Sequence, residues 1–477
     1  MMSRPKFVAL AVVLVVSGAS LPPCPLSAQA PATGAPSVDL RRGPLRVSRD
    51  GRHLVHADGT PFFWLGDTAW ELFHRLTREE ADLYLDDRRR KGFTVIQAVV
   101  LAELDGLTAP NANGDVPLVD NDPTKMNEAY FRHVDYVVDA AARRGMFTGM
   151  LPTWGDKFNK RWGVGPEIFT PANARAYGEL LGRRYRAKPI IWILGGDRSP
   201  ERPEHSAIVR SMAEGLRAGD GGAHLMTYHP MGGQSSSRYF HADDWLALNM
   251  FQSGHSAPNS ANDRYVQADR KLVPVKPVLD GESRYEDHPI DWKPEKGWFD
   301  DFDVRQAAYW AVLAGAAGHT YGDHDIWQMF QPGRAPISSA RTPWRVALNH
   351  PGSAQMGHLR RLFMSRPFLE LAPDQSLLES PLDTGASHQR AARARGGDYA
   401  VAYTPLGRPL TIRLDALRGP LVRAWWFDPR AGTSSRIGEF QAAGTRAFDP
   451  PGDEGRGHDW VLVLDRSTTA YPPPGAR

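Results

Sequence analysis

The sequence predicts a (β/α)8 barrel followed by a small all-β sandwich, on three observations. Short apolar runs alternate with amphipathic stretches, a pattern typical of a parallel sheet covered by helices. Eight such units can be counted before residue 322, and no glycine-rich phosphate loop follows any of the strands, which favours a closed barrel over an open doubly wound sheet. From about Pro367 the pattern changes to short alternating segments separated by Gly, Pro and Asp, which indicates an antiparallel sandwich.

Residues 1–30 have the sequence features of a signal peptide. Arg4 and Lys6 precede an apolar run at residues 7–16, and Ala28-Gln29-Ala30 has the small-x-small form of a cleavage site. The run is shorter than the about 18–20 residues that a membrane-spanning helix needs, and no later segment reaches that length without charges. We therefore expect an exported protein with no membrane span, its localisation periplasmic or extracellular.

Charge and cysteine content exclude several classes of protein. Of 57 Lys+Arg, Arg4 and Lys6 lie in the leader, which leaves 55 against 54 Asp+Glu, and such a balance gives no electrostatic reason to bind nucleic acid or an anionic membrane. The only cysteine, Cys24, also lies in the leader, so no disulfide, cysteine nucleophile or thiolate metal site is expected after cleavage.

The predicted elements follow the chain in order. The barrel strands are predicted at residues 62–67, 93–100, 146–151, 189–194, 225–229, 246–252, 275–281 and 319–321. Helices are predicted after a capping box that begins at Thr77, and at residues 127–144, 171–186 and 304–317. Sandwich strands are predicted at residues 399–403, 410–414, 422–427 and 459–464. The predicted domains are the barrel at residues 31–366 and the sandwich at residues 367–477.

Two acids stand at the carboxyl ends of predicted strands, where the functional groups of a barrel lie. Asp197 ends the fourth strand and Glu282 the seventh, so their tips face each other across the barrel mouth. Glycosidic cleavage needs one carboxylic acid to protonate the leaving oxygen and a second carboxylate to attack or to activate water. The alternative stays open that Asp197 is only a helix cap and Glu282 only an ion-pair partner of Arg284.

Other polar and aromatic residues in or after the predicted strands are predicted to shape a small, closed subsite. Tryptophan rings pack against the apolar faces of sugars, although they are also common in protein cores. The predicted substrate-binding residues are Asp67, Trp70, Gln97, Trp154, His229, Gln252, His324 and Trp327.

Neither a metal ion nor another cofactor is expected. Adjacent residues of an extended segment point in opposite directions, so Asp323-His324-Asp325 cannot easily close on one ion. No Gly-x-Ser-x-Gly elbow indicates a serine hydrolase, and no His-Glu-x-x-His motif indicates zinc hydrolysis.

Several segments together resemble the apiosidase-like glycoside hydrolases of bacterial plant-cell-wall degradation. The segments are FWLGDTAW at 63–70, IWILGGD at 191–197, NMFQSGH at 249–255, PVLDGE at 277–282 and YGDHDIWQ at 321–328. The tail, with AWWFDPR at 424–430 and DWVLVL at 459–464, resembles the β-sandwich that accompanies this family, sometimes labelled collagen-binding. Many barrel glycosidases have Asn-Glu where this chain has Gly196-Asp197, but the aspartate agrees with the apiosidase-like group.

The resemblance implies an exo-acting, retaining hydrolase that removes pectic side-chain sugars. It implies that Asp197 is the acid/base and Glu282 the nucleophile, and that the partner is an oligosaccharide or polysaccharide. Two other functions stay open, an endo-acting glycanase on the same barrel and a secreted carbohydrate-binding protein without activity. The oligomeric state is left open.

Overall fold

The computed structural model describes Met1 and residues 35–379 and 384–476. The predicted signal peptide lies outside the described residues. Residues 35–477 form one compact unit, which contains both the barrel and the sandwich. Among the described residues, no helix is both long enough and apolar enough to cross a membrane.

A small antiparallel sheet precedes the barrel and closes its amino-terminal end. Its strands are β1 (Leu45–Val47), β2 (Leu54–His56) and β3 (Pro61–Phe62). Leu54 and Phe62 belong to the same buried cluster as Val95, Phe147 and Ile191, which lie at the beginnings of barrel strands. This sheet is not predicted from the sequence, because its strands are too short to show a periodic pattern.

Eight parallel strands form the barrel, which confirms the predicted fold. In chain order these eight are β4 (Trp64–Thr68), β5 (Val95–Leu101), β6 (Phe147–Thr153), β7 (Ile190–Gly195), β8 (Met226–His229), β10 (Asn249–Gln252), β11 (Val278–Glu282) and β12 (Gly318–Tyr321). A short additional strand, β9 (Gln234–Ser235), pairs antiparallel with β10. Six of them pair in the order β12-β4-β5-β6-β7-β8, and β10 pairs with β11. A parallel bridge between Met226 and Leu246 and a hydrogen bond from Ala317 N to Val278 O (2.9 Å) close the ring.

Helices surround the barrel. They are α1 (Leu72–Arg75), α2 (Arg78–Lys91), α3 (Glu128–Arg143), α4 (Pro171–Tyr185), α5 (Pro203–Asp220), α6 (Ser237–Phe240), α7 (Asp263–Asp269), α8 (Asp301–Leu313), α9 (His324–Trp327), α10 (Trp344–Ala347) and α11 (Pro351–Met364). The predicted capping box of α2 is present, with Thr77 and Glu80 bonded reciprocally. Helix α8 begins before the predicted residue 304 because Asp300 caps it, and it ends four residues early.

The carboxyl-terminal strands form the predicted β-sandwich. They are β13 (Leu371–Pro373), β14 (Arg390–Ala394), β15 (Tyr399–Thr404), β16 (Leu410–Arg413), β17 (Leu421–Asp428), β18 (Thr433–Gln441), β19 (Thr445–Phe448) and β20 (Trp460–Arg466). The larger sheet has the order β13-β14-β15-β20-β17-β18, and β16 pairs with β19. A buried cluster that includes Leu410, Ile412, Trp426 and Leu462 fills the space between the two sheets.

The sandwich shares its other face with the helices of the barrel. Tyr309 of α8 stacks on Tyr403 of β15 at 4.7 Å between ring centroids. Arg305 of α8 donates two hydrogen bonds to the buried Asp459, of 3.0 and 2.8 Å. This face lies on the outside of the barrel, so the sandwich supports the helical layer. The predicted domain boundary falls between α11 and β13, and its position stays a prediction.

Candidate active site

A cavity of about 770 Å³ opens at the carboxyl ends of the barrel strands. Seven of the ten residues proposed from the sequence line it: Trp70, Trp154, Asp197, Gln252, Glu282, His324 and Trp327. Its volume falls within the range of about 300–1,000 Å³ typical of ligand pockets.

The end of β7 positions Asp197 by an unusual turn. Gly195, Gly196 and Asp197 have φ angles of 97°, 100° and 53°, all in the left-handed region. A Cβ atom on Gly195 would lie 2.4 Å from the carbonyl oxygen of His229, so no larger residue fits there. Because Asp197 itself is not a glycine, its backbone stores strain, as is common at functional sites. The Gly-Gly pair thus turns the chain sharply and directs the Asp197 carboxyl into the cavity.

Asp197 lies in surroundings that favour its protonated form. Its side chain is only 23% exposed, and Arg198 Nη1 donates to Oδ2 at 3.1 Å. Burial, followed by the negative charge of Glu282, raises the pKa of Asp197 to about 6, although Arg198 partly opposes this shift. A carboxyl group of this kind can hold a proton near neutral pH and give it to a substrate.

Glu282, at the end of β11, has the opposite environment. His255 Nε2 lies 2.9 Å from Oε1 and His229 Nε2 lies 3.1 Å from Oε2. Burial opposes its ionisation, but the interactions with His255 and His229 outweigh burial and lower the pKa of Glu282 to about 2. Glu282 is therefore an ionised carboxylate whose Oε1 is hydrogen-bonded to His255 and whose Oε2 is in ion-pair contact with His229.

His229 connects the two acids. The backbone N–H of Asp197 donates to Nδ1 of His229 at 3.3 Å, so the ring proton is assigned to Nε2, the atom that faces Glu282. His229 does not itself line the cavity, and its side chain is fully buried. Its place beneath the two carboxyl groups makes it a positioning residue.

A tyrosine and two tryptophans form the wall beside Glu282. Trp70 Nε1 donates to the hydroxyl of Tyr285 at 3.0 Å. The ring of Trp70 lies 5.3 Å from that of Trp154 and 5.4 Å from that of His229. Burial and the charge of Glu282 raise the pKa of Tyr285 well above its usual value, so its hydroxyl stays protonated.

The predicted residues Gln252, His324 and Trp327 also line the cavity, and Gln252 is the register partner of Glu282 in the pairing of β10 with β11. Gln252 is 4% exposed, and its Oε1 has no hydrogen-bond partner in the described part of the chain, which leaves it free for a ligand. Trp327 Nε1 donates to Nδ1 of His324 at 3.2 Å, and His324 in turn contacts the backbone oxygens of Ile337 and Ser338. Trp327 and His324 thus form part of the cavity wall, and these hydrogen bonds hold them in place.

Asp67 and Gln97 do not line the cavity, in contrast to the expectation from the sequence. Asp67 is fully buried and accepts hydrogen bonds from Tyr84 (2.6 Å) and Arg88 (2.5 Å) behind the strand. Gln97 donates to the carbonyl oxygen of Gly281 at 2.9 Å and so joins β5 to β11. Asp67 lies near the end of β4 and Gln97 lies inside β5, and the hydrogen bonds of both side chains hold the barrel together rather than face a ligand.

Five cavity residues are not among the site residues predicted from the sequence: Glu103, Arg198, His255, Tyr285 and His288. Of these, Glu103 and His255 follow the second and sixth predicted strands, and His255 is on that ground a candidate hydrogen-bonding residue. His288 stacks on His255 at 4.4 Å between ring centroids and meets His324 at the same distance. His255 and Tyr285 each stand three residues after a polar residue that ends a strand. This position is too common among loop residues to identify them from the sequence.

Among the described residues, one group with metal-ligand chemistry lies near the site. Single ligand atoms of Asp287, Asp325 and His350 lie within 4.8 Å of one another. These residues come from the loop after β11, from α9 and from the N-cap of α11, and of Asp323, His324 and Asp325 only Asp325 belongs to the group. Asp287 accepts hydrogen bonds from Arg341 and Thr342, and His350 contacts Asp323 at 2.6 Å, so protein groups already satisfy much of the cluster.

Comparison with known proteins identifies the family. Residues 48–370 match the family described as "Apiosidase-like, catalytic domain", and residues 372–465 match "Putative collagen-binding domain of a collagenase". No curated protein sequence matches the chain.

Solved structures agree with this assignment. A glycoside hydrolase is 34% identical with a TM-score of 0.85, over 91% of this chain and 99% of the other. A glycoside hydrolase family 5 structure from Bacteroides vulgatus has the same identity and TM-score, over 91% and 96%. A conserved exported protein from Bacteroides fragilis shares the fold, with 10% identity and a TM-score of 0.50 over 88% and 100%. The chain therefore belongs to the apiosidase-like family and is a glycoside hydrolase.

Proposed function

We propose that this enzyme is an exo-acting, retaining glycoside hydrolase that removes side-chain sugars from plant cell-wall pectin, with Asp197 as acid/base and Glu282 as nucleophile. One observation carries the assignment of roles. The two carboxyl groups face one cavity, and their pKa values are shifted in opposite directions, to about 6 and about 2. Such divergence separates an acid from a nucleophile.

In the first step the protonated Asp197 gives its proton to the glycosidic oxygen while ionised Glu282 attacks the anomeric carbon. The bond between that carbon and the leaving oxygen breaks, and a glycosyl ester forms on Glu282. His255 and His229 hold the attacking carboxylate, which keeps its orientation fixed and its charge available.

In the second step Asp197 acts as a base. Esterification removes the negative charge of Glu282, and that charge is the second largest cause of the raised pKa of Asp197. The pKa of Asp197 is therefore expected to fall once the intermediate has formed. Ionised Asp197 then takes a proton from water, which attacks the anomeric carbon and releases Glu282 and the sugar.

The choice of a pectic substrate rests on the family resemblance, and the choice of export rests on the sequence of residues 1–30 together with the exported Bacteroides fragilis neighbour. The cavity supports a saccharide ligand because tryptophan rings and a free amide oxygen of Gln252 line it.

The first experiment is to incubate the purified wild type and the Glu282→Ala variant with pectic and hemicellulosic oligosaccharides and to identify the products by chromatography. We expect one monosaccharide from the wild type alone. Products of mixed length would instead indicate an endo-acting glycanase. Binding without any product would indicate a carbohydrate-binding protein.

The stereochemistry is tested on the substrate found in that screen. Proton NMR of the product formed first should show the anomer of the substrate, because two displacements at the same carbon restore its configuration. If the opposite anomer appears first, Glu282 is a base that activates water and the retaining mechanism is wrong.

The role of Asp197 is tested with Asp197→Ala. General acid–base groups contribute about 10²–10⁴-fold to the rate, so kcat/KM should fall by that amount for natural glycosides. It should fall much less for a dinitrophenyl glycoside, whose leaving group needs no proton, and azide should restore turnover with formation of a glycosyl azide. An equal loss on both substrates, without azide rescue, would contradict the role.

A further inference from the structure

A second cavity, of about 410 Å³, lies at the end of the barrel opposite to Asp197 and Glu282. It opens between the turn that joins β1 to β2, the end of α7, and the strands β13 and β14 of the sandwich. Arg270, which follows α7, donates to the carbonyl oxygen of Gly315 at 2.8 Å, just before β12 begins. The cavity therefore lies at the amino-terminal ends of the barrel strands, away from the active site.

Positive charge dominates the wall of this cavity, which we call the basic pocket. Four of the nine described residues that line it are cations, and none of the nine is an acid. The cations are Arg52, Arg270, Lys271 and Arg395. They come from the turn before β2, from the end of α7 and from the residue after β14, so the fold brings together charges that are far apart in the sequence.

Few acids balance these cations. Arg395 pairs with Asp50 at 2.6 Å, but in the part of the chain that the structure describes no acid forms an ion pair with Arg52, Arg270 or Lys271. Burial, followed by the positive charge of Arg52, lowers the pKa of Arg270 to about 10, and Asp50 only partly opposes this shift. Cations that are held together at this cost would be stabilised by a bound anion.

The guanidinium of Arg270 is held by the backbone and not by a carboxylate. Gly315 has a φ angle of 98°, and a Cβ atom there would lie 2.6 Å from the guanidinium carbon of Arg270. The glycine thus makes room for the guanidinium, which uses one N–H group to bond the Gly315 carbonyl. A guanidinium has five N–H donors, so Arg270 keeps donors for a ligand and is already fixed in position.

The rest of the wall indicates what kind of anion fits. It is mainly apolar, with Ala314, Leu371, Ala372 and Pro373. A sugar ring that carries a carboxylate combines an apolar face with a charge, and guanidinium groups bind carboxylates through paired hydrogen bonds. A free inorganic anion needs neither the apolar wall nor a volume that lies within the range of about 300–1,000 Å³ typical of organic ligands.

The positive charge continues beyond the basic pocket. Gln267 lines the basic pocket and also an adjoining cavity of about 310 Å³, to which Arg264 and Arg390 contribute. Asp263 of that cavity pairs with Arg390 at 3.4 Å, whereas Arg264 has no ion-pair partner among the described residues. Cations that follow one another along the contact of α7 with the sandwich suit a ligand that carries repeated negative charges.

We propose that the basic pocket binds the uronate residues of an acidic polysaccharide, at a site separate from the active site. The main chain of pectin is a polymer of galacturonate, so the pocket holds this chain while the active site removes sugars from other side branches. Holding the polymer raises the effective concentration of its branches near the enzyme. This inference rests on the proposed function and adds a second, non-catalytic site to it.

Binding is tested in the Glu282→Ala background, so that turnover does not interfere. Oligogalacturonides are titrated by calorimetry into this variant and into double variants that also carry Arg52→Met or Lys271→Met. Each added substitution should weaken binding by about tenfold, the scale of one hydrogen bond to a charged group. Arg132→Met, which removes an exposed arginine of α3 outside the pocket, is the matched control and should leave binding unchanged.

Three further ligands test the chemistry of recognition. Fully methyl-esterified oligogalacturonide has lost its charge, and poly-glutamate has charge without sugar rings, so both should bind at least tenfold more weakly than the oligogalacturonide. Equal binding of either one would show that the pocket does not recognise a uronate. If inorganic phosphate binds and the oligogalacturonide does not, the pocket is a site for a free anion and the proposal is wrong.

Kinetics separate this inference from the proposed function. Arg52→Met should leave kcat/KM unchanged on a short neutral substrate and raise KM on polymeric, de-esterified pectin. If oligogalacturonides bind through Arg52 and Lys271 but the wild type releases no sugar, the pocket stands and the proposed hydrolysis falls. If sugar is released but no oligogalacturonide binds, or if Arg52→Met and Lys271→Met bind it as tightly as Arg132→Met, the pocket proposal is wrong.

Discussion

At the residue scale, Asp197 and Glu282 lie in one cavity, but the charged groups next to the two carboxyls differ. Asp197 has the negative Glu282 beside it and one cation, Arg198, whereas Glu282 has two histidines. Because the charge of Glu282 raises the pKa of Asp197, ionisation of one acid keeps the other protonated. Asp197 is thus protonated while Glu282 is ionised at pH values between their two pKa values, which these neighbours determine.

This arrangement predicts the pH dependence of the enzyme. In the proposed mechanism Asp197 must be protonated, so kcat/KM should fall as the pH rises through about 6, the pKa of Asp197. The nucleophile must be ionised, so kcat/KM should also fall as the pH drops toward about 2, the pKa of Glu282. A pH profile of kcat/KM in the free enzyme checks both limbs. A single limb that rises toward alkaline pH would contradict the assignment.

Arg198 predicts the direction in which the alkaline limb can be moved. Its positive charge lowers the pKa of Asp197, so Arg198→Met should shift the alkaline limb to higher pH. Arg210→Met, which removes a surface cation paired with Asp243, is the control and should leave the profile in place. A shift of the Arg198→Met limb to lower pH would show that Arg198 does not act on Asp197 through its charge.

At the element scale, the helix pair α4 and α5 packs with unusually close backbones. Glycines face each other along the contact: Cβ atoms on Gly178, Gly182, Gly215 and Gly219 would lie 2.0–2.5 Å from backbone oxygens of the partner helix. The sequence analysis predicts α4 but not α5. Helix α5 begins six residues after Asp197, so its close contact with α4 helps to hold the chain next to Asp197 in position.

This packing predicts that Gly215→Ala is destabilising. The added Cβ would lie 2.0 Å from the Arg175 carbonyl oxygen, and the helices would have to separate. Overpacking of a close contact costs about 1–3 kcal/mol, which thermal or denaturant unfolding would detect. Gly455→Ala is the control, because a Cβ there meets no atom within 4 Å. Equal stability of the two variants would refute the close contact.

At the scale of the whole molecule, the sandwich is joined to the barrel by a common core. One buried cluster contains Tyr309 and Phe363 of the barrel helices together with Tyr403, Phe427 and Val461 of the sandwich. The buried ion pairs Arg305–Asp459 and Arg366–Asp465 cross the same contact. A domain held in this way is an integral part of the fold, and we expect its removal to expose the helical layer.

The buried pair predicts a strong dependence of stability on Asp459. Replacing one partner of a buried ion pair costs about 3–5 kcal/mol, so Asp459→Asn should lower the free energy of unfolding by that order. Asp398→Asn breaks a partly exposed pair with Arg466 in the same sandwich and should cost about 0–1 kcal/mol. Chemical denaturation of the two variants checks the difference, and similar losses would show that the contact contributes little.

The sequence by itself determined the barrel, the sandwich and the two carboxyl groups at the strand ends. Apolar periodicity, capping residues and the positions of Asp197 and Glu282 are local features, and the eight strands appear within a few residues of where the pattern places them. The family resemblance added the roles of the two acids.

Only the tertiary structure decided which strand-end side chains face the cavity. Asp67 stands near the end of β4 and Gln97 inside β5, but the side chain of Asp67 meets Arg88 and that of Gln97 meets the backbone of β11. Tyr285, His288 and Trp292 reach the cavity through loops whose course depends on distant contacts. The direction of a side chain and the charge around it depend on partners far apart in the chain, so local sequence patterns do not determine them.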